Sequence, residues 1–327
     1  MMGSRCWRAW WLFLVLVAAA ACEKKADDAP GEKARVAVSI FPLYDVARRV
    51  AGDRLDVVLV LPPGRTEHSY DPTPKEMARV AKSRLAISVG LGLDGWLEKI
   101  VQGAAGSDVA TLQLGPRVNP RKMTNEEVGV EAVEEAGHDT EDEKKDGGSD
   151  HPGHKSTHGA DDPHFWLDPV RMKVAVDAMV EAFIKLDPAG ADGFRARSED
   201  VKRSFDDLHK GLEAKSKGWT KHTIVTFHGS MGYFAERYGL KIAAVVEPFP
   251  GREPTPRYLK EVLEAIERTH ASALFSEPQL DKRPAQVIAD QSKVPLFELD
   301  PIGGTDGVES YEKLLTRNAE VFDKALK

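Results

Sequence analysis

The chain has 327 residues, and its 52 acidic and 45 basic side chains give a formal net charge of −7. This acidic balance argues against a phosphate-backbone partner, so nucleic acid is not expected to bind. An acidic exported protein fits the capture of a small cation. The two cysteines, Cys6 and Cys22, predict no disulfide framework, because one lies in a predicted leader and the other at a predicted lipidation site.

The N-terminus has the layout of a bacterial secretion signal. Basic residues precede an apolar run from Trp10 to Val17, and alanines then lead to Cys22. The run is shorter than the roughly 20 residues that a membrane-spanning helix needs. We therefore predict a signal peptide over residues 1–21, a lipidated Cys22 anchored to a bacterial membrane, and a polar tether over 22–34. The alternative is a cleaved signal that leaves Cys22 free.

Most of the chain alternates apolar strands with single helices. Runs such as RVAVSIF, LDVVLVLP and LAISVG are nearly continuous in Val, Leu and Ile, which indicates a parallel sheet covered on both faces. We predict an N-terminal α/β domain over 35–190, a linking helix over 191–217 and a C-terminal α/β domain over 218–327. The fold class is thus α/β: two parallel-sheet (βα)4-like domains, joined by a long helix, with a cleft between them.

One segment interrupts the first domain. From residue 124 to 162 the periodicity disappears, and the sequence is acidic and rich in glycine. It contains four histidines, His138, His151, His154 and His158. Such a composition cannot bury enough apolar surface to offset its ordering entropy, so we predict a disordered loop. These histidines are candidates for weak, auxiliary metal binding, and a solvated linker without function is the alternative.

Three further histidines and one carboxylate lie at strand ends or in ordered loops: His68, His164, His228 and Asp300. Three imidazoles and a carboxylate are ligands that a four-coordinate zinc ion accepts, and ligands from both halves would place it in the cleft. Singly, each histidine could equally be a hydrogen-bonded or solvent-facing residue. Asp300 could instead form a cap or turn before Pro301.

The fourth ligand has several candidates besides Asp300, namely Glu67, Glu247, Glu277 and water. In an extended backbone, successive side chains point to opposite faces. Glu67 would then point away from a metal held by its neighbour His68.

At these positions the chain resembles the solute-binding proteins of bacterial zinc and manganese ABC importers, of the ZnuA-like type. The resemblance extends over the whole mature chain through IFPLYDVARRVAGD, PPGRTEHSYDPTPKE, DPHFWLDP, TFHGSMGYFAERYGL and LFSEPQLDKRPAQVIA. It implies two α/β domains joined by a long helix, with metal between them. It also implies the ligand role of His68, His164 and His228 and, as in members with a fourth protein ligand, of Asp300.

The cargo that the resemblance implies is Zn²⁺ or Mn²⁺. Manganese-type relatives generally carry a carboxylate where this chain has His228, and imidazole suits zinc whereas manganese prefers oxygen. Zinc-type members are similar in having a histidine-containing insertion. We therefore expect a monomeric lipoprotein, in the periplasm or on the cell surface, that delivers Zn²⁺ to an ABC permease and its ATPase. A manganese-binding member of the family is the alternative.

Two other classes of function compete with transport. Three histidines with an open fourth position could activate water in a zinc hydrolase, but no HExxH or comparable motif is present. The expectation is therefore that the protein is not an enzyme. An adhesin is the third possibility, and only exposure on the cell surface supports it.

Overall fold

The computed structural model describes residues 33–104, 109–129 and 159–327. The predicted signal peptide, Cys22, the four auxiliary histidines and most of the tether lie outside these residues. Within the described residues, no helix combines the length and the apolar character needed to cross a membrane.

The first half is a parallel four-stranded sheet flanked by helices. Its strands are β1 (Arg35–Val38), β2 (Asp56–Leu59), β3 (Leu85–Ser88) and β4 (Ala110–Gln113), in the spatial order β2-β1-β3-β4. Its helices are α1 (Phe41–Ala51), α2 (Pro74–Ala81), α3 (Gly95–Ala104) and the short α4 (Asn125–Val128). The buried apolar runs seen in the sequence form the central strands β1 and β3.

The second half repeats the same arrangement. Its strands are β5 (Thr223–Thr226), β6 (Lys241–Val245), β7 (Ala273–Ser276) and β8 (Leu296–Glu298), all parallel in the order β6-β5-β7-β8. Its helices are α7 (Gly232–Tyr238), α8 (Pro256–Thr269), α9 (Arg283–Ser292) and α10 (Tyr311–Leu326). In each sheet the first strand is interior, the second strand lies on one side of it and the third on the other. At such a change of direction, the loops at the carboxyl ends of the strands form the usual ligand site.

Two long helices, α5 (Pro169–Leu186) and α6 (Ala191–Ser216), connect the sheets in the chain. Helix α6 contacts helices of both halves. Arg197 donates hydrogen bonds to the last carbonyls of α1, at Val50 and Ala51, and Ser204 donates to Glu312 of α10. The two-sheet α/β fold with a long connecting helix is thereby confirmed. The domain boundaries at 190 and 217 stay a prediction, because one apolar core cluster contains side chains from both halves.

The predicted loop over 124–162 is ordered at both of its ends, which corrects those boundaries. Residues 125–128 form α4, which begins with a capping box between Thr124 and Glu127. An antiparallel bridge then pairs Lys122 with Asp161, and Asp162 is fully buried. Composition alone missed these ends because their order depends on contacts with the second half.

Candidate metal centre

Three imidazole rings from distant parts of the chain meet in the described structure. Nε2 of His68 lies 3.1 Å from Nε2 of His228, which in turn lies 3.4 Å from Nε2 of His164. Oε1 of Glu67 lies 3.7 Å from Nε2 of His68. The potential ligand atoms of these four residues all lie within 4.8 Å of one another. Three nitrogens and one carboxylate oxygen at such spacing can enclose a four-coordinate divalent cation.

His164 owes its orientation to a carboxylate two residues earlier. Oδ1 of Asp162 accepts the backbone N–H of His164 at 2.9 Å and lies 2.9 Å from its Nδ1. This local motif is an Asx-type turn with Pro163 between its ends, and it leaves Nε2 facing the cluster. Trp166 packs near the ring and donates from Nε1 to the carbonyl of Pro301 at 2.7 Å. The rigid DPHFW segment therefore holds one candidate ligand in a fixed direction.

His228 follows the central strand β5 and is supported in a similar way. Its Nδ1 lies 2.9 Å from Oε1 of Glu277, the residue directly after β7. Ser230 donates a hydrogen bond to the same oxygen at 3.1 Å. The distance is that of an ion pair, without an aligned hydrogen bond at Nδ1 among the described residues. The negative charge beside Nδ1 still favours the tautomer with its proton there, so that the Nε2 lone pair is free for a metal. Glu277, one of the rivals for the fourth ligand, thus supports a histidine in this structure.

Glu67 does not point away from His68, so the expectation based on an extended backbone is wrong. The chain bends at Glu67, His68 and Ser69, and neighbouring side chains on a bend need not alternate. Trp96 donates to the backbone carbonyl of Glu67 at 3.0 Å. The Oε1 atom of Glu67 is buried and has no hydrogen-bond partner among the described residues. A buried acceptor without a donor is costly unless a ligand satisfies it.

Asp300 lies outside this four-residue group. Its Oδ1 accepts hydrogen bonds from the backbone of Ile302 and Gly303 and from the side chain of Gln279, at 2.8 to 3.0 Å. These contacts match the turn-forming role considered from the sequence, and its ligand role stays a prediction. Glu247, the remaining rival, follows β6 and is also buried.

The site is electrostatically prepared for a cation. Burial and the two neighbouring imidazoles hold the pKa of His68 well below its usual value, so this ring is neutral at physiological pH. Burial alone would lower the pKa of His228, but Glu277, Glu67 and Glu247 raise it above the usual value. Burial raises the pKa of Glu67, and the nearby histidines oppose that rise. Ligands must release protons before they bind a metal, so binding is expected to weaken in acid.

A cavity of about 470 Å³ opens onto the three histidines. Its lining includes Val128 and Ala160, which flank the undescribed segment that carries the four auxiliary histidines. Two described residues that bracket that segment therefore line the cavity. The auxiliary metal role of those histidines stays a prediction.

Sequence comparison agrees with this architecture. A family model described as "Zinc-uptake complex component A periplasmic" matches residues 36–325. The chain belongs to this family. A relative named manganese ABC transporter substrate-binding lipoprotein PsaA, from Streptococcus anginosus, is 25% identical over 96% of each chain.

Solved structures show the same fold. A crystal structure of ZnuA superposes with a TM-score of 0.73 at 23% identity, covering 90% of this chain and 100% of the other. The Pseudomonas aeruginosa protein FpvC in complex with Mn²⁺ gives 0.72 at 20% identity, covering 90% and 98%. The family comprises metal-binding components of ABC importers and not enzymes, so this ZnuA-family chain is a metal ABC transporter substrate-binding protein and the hydrolase reading is set aside.

Two residues around the histidines were missed by sequence reasoning, Asp162 and Arg121. Asp162 could have been found, because a carboxylate two residues before a histidine can reach both its backbone and its ring. Arg121, which donates to Asp162 at 2.8 Å, has no such local signal.

Proposed function

We propose that this protein captures Zn²⁺ with His68, His164, His228 and Glu67 and delivers it to an ABC importer. The observation that carries the proposal is the convergence of three Nε2 atoms around the buried Oε1 of Glu67, which has no hydrogen-bond partner within the described part of the chain. Two of the rings have a carboxylate at Nδ1, an arrangement that fixes metal-binding histidines and raises their basicity. The site therefore combines donor type, spacing and preorganisation.

The choice of zinc over manganese depends on the donor atoms. Imidazole nitrogen suits zinc, copper and nickel, whereas manganese prefers carboxylate, carbonyl and water oxygen. A site of three nitrogens and one oxygen should also bind Mn²⁺ weakly, because affinities for divalent metals rise from Mn²⁺ towards Cu²⁺ along the Irving–Williams order. The description of the matching family as a zinc-uptake component supports the same choice.

Manganese remains the second candidate, because the PsaA relative from Streptococcus anginosus is named for it. That candidate needs more oxygen around the ion. Asp300 could supply this oxygen only if its side chain rotated out of the loop that it now stabilises. That rotation would break its hydrogen bonds with Ile302, Gly303 and Gln279. The cost of these bonds favours Glu67 as the fourth ligand.

Delivery requires partners outside the chain. We propose that Cys22 anchors the protein by lipid on the outer side of a bacterial membrane, in the periplasm or at the cell surface. The protein acts there as a monomer. The loaded protein docks on a permease whose ATPase subunit drives import. In this proposal His138, His151, His154 and His158 serve as weak, auxiliary zinc ligands.

The test is competitive titration of zinc and manganese against a chelator. The protein should carry glutamine at the four auxiliary histidines, so that only the buried site binds tightly. We expect one tight zinc per chain that a large excess of manganese hardly displaces. His228→Ala should lower zinc affinity by more than the roughly 10–100-fold that is lost when a residue bonded to a metal ligand is removed.

His222→Ala is the matched control, because His222 is exposed and directly precedes β5, the strand that His228 follows. It should bind zinc as the parent does. Equal affinity for the two metals, or zinc binding unchanged by His228→Ala, would contradict the proposal.

A further inference from the structure

Arg121 lies at the centre of a buried ion cluster next to the metal centre. Nη1 donates to Oδ2 of Asp162 at 2.8 Å and to Oε2 of Glu127 at 2.9 Å, and Nη2 donates to Oε1 of Glu127 at 3.0 Å. Its side chain is only 12% exposed, while Asp162 and Glu127 are 0% and 5% exposed. One guanidinium thus compensates two buried carboxylates, and one of these supports His164.

The two oxygens of Asp162 have separate partners. Oδ2 accepts from Arg121, whereas Oδ1 contacts the backbone and ring nitrogens of His164. Arg121 is also held on its other side, because it lies over the ring of Tyr233, whose hydroxyl donates to the carbonyl of Asp162 at 2.9 Å. The guanidinium therefore restrains the carboxylate from rotating away from the histidine.

The second half of the molecule leaves space for this cluster. A Cβ on Gly232, the first residue of α7, would lie 2.0 Å from Nη1 of Arg121 and 2.7 Å from Oδ2 of Asp162. A side chain at this position would therefore displace the Arg121 guanidinium or the Asp162 carboxylate. Backbone bonding closes the same region, since Asp162 donates to the carbonyl of Arg121 at 2.8 Å.

We propose that Arg121 is a positioning residue for the metal site: it fixes Asp162 beneath His164 and thereby directs Nε2 of His164 towards the ion. Among its hydrogen bonds and ion pairs within the described residues, Arg121 has none with the four proposed ligands. The expected change in zinc affinity rests on the proposed function, whereas the expected tautomer of His164 does not.

The test compares Arg121→Met with the parent in full-length protein. In the metal-free parent at about pH 8, long-range ¹H–¹⁵N NMR should show the proton of neutral His164 on Nδ1. The signal can be assigned by its loss in His164→Gln. Arg121→Met should give a mixture of the two tautomers. It should also weaken zinc binding by about 10–100-fold, the usual effect of losing an outer partner.

Arg49→Met is the matched control. Arg49 forms a paired contact with Glu312, lies 5.8 Å from the Phe205 ring and is 26% exposed, so it too is a partly buried arginine in an ion pair. Both variants should lower the urea midpoint, but only Arg121→Met should change the tautomer and the zinc affinity. Equal loss of affinity in the control, or an unchanged tautomer in Arg121→Met, would overturn the inference.

Two further variants keep the test decisive. Arg121→Lys keeps one charge without the planar fork, so it should give an intermediate loss and can replace Arg121→Met if that variant does not fold. In an Asp162→Ala background, Arg121→Met should change zinc affinity less than about twofold, because the two residues act through one contact. Additive losses would contradict the mechanism. If the parent binds no zinc tightly but Arg121→Met alone changes the His164 tautomer, the proposed function fails and the positioning of His164 by Arg121 stands.

Discussion

At the residue scale, carboxylates lie behind two of the three histidines, on the side of each ring away from the cluster. Glu277 contacts Nδ1 of His228 and also accepts from Ser230. We expect Glu277→Gln to weaken zinc binding by roughly 10-fold or more, because a neutral amide neither fixes the tautomer nor raises the basicity of the ring as well. Chelator competition measures this. Glu298→Gln, at an exposed position on β8, should have no effect.

Glu247 gives a prediction about stability. Burial raises its pKa from 4.5 to about 7. The folded protein therefore binds this proton more tightly than the unfolded chain does. The stabilisation that comes from this proton is complete below pH 4.5 and is lost as pH rises through about 7. In metal-free protein, Glu247→Gln should remove this loss and flatten the dependence of the urea midpoint on pH over that range.

Glu253→Gln is the control for that measurement, because Glu253 is an exposed acid in the same loop. A pH profile of Glu247→Gln that falls as steeply as those of the parent and the control would show that Glu247 does not carry the effect.

The candidate ligands could be predicted from the sequence to an unequal degree. His228 follows a buried strand, and its position at a carboxyl end places it in the cleft by topology alone. Glu67 could not be placed, because its direction depends on the bend at 67–69 and not on any periodic pattern. Arg121 and Tyr233 are 112 residues apart, so only the tertiary fold brings them together.

At the element scale, the motif from His228 to Gly232 shows how one short segment serves several contacts. Gly229 lies against α4, where a Cβ would come within 2.4 Å of Cε of Met123 and 2.5 Å of the backbone oxygen of Glu127. Gly229→Ala should therefore force the two segments apart and lower the free energy of unfolding by about 1–3 kcal/mol.

Gly211→Ala is the opposite case on α6. A Cβ there meets no atom within 4 Å, and replacing an exposed helical glycine stabilises by roughly 0.5–1 kcal/mol. Urea unfolding of both variants tests the difference in sign. An unchanged free energy of unfolding in Gly229→Ala would contradict the close packing of α4 on the loop after β5.

The same segment explains why the loop boundaries were predicted too widely. Residues 124–129 have no apolar periodicity, yet Thr124 and Glu127 cap a helical turn and Glu127 binds Arg121. Such order comes from capping, from ion pairing and from packing against the second half at Gly229, none of which hydrophobic patterning reports. Capping signals would have been the better guide here.

At the scale of the whole molecule, alternating strands and helices were sufficient to predict two parallel sheets and the long helix between them. They did not predict how closely the halves join. Arg49 of α1 pairs with Glu312 of α10, and Tyr311 donates from its hydroxyl to the carbonyl of Trp166 at 2.6 Å. These contacts connect positions far apart in the sequence, which no local pattern reveals.

The central claim is that one site, made of three imidazole nitrogens and the Glu67 carboxylate, selects zinc. The most direct measurement is a crystal structure of the protein equilibrated with equal zinc and manganese, with anomalous difference maps recorded at the absorption edges of both metals. We predict zinc alone, with nitrogen ligands at about 2.0–2.1 Å from His68, His164 and His228 and an oxygen of Glu67 at about 2.0–2.2 Å. Manganese at this position, or ligation by Asp300 in place of Glu67, would contradict the account.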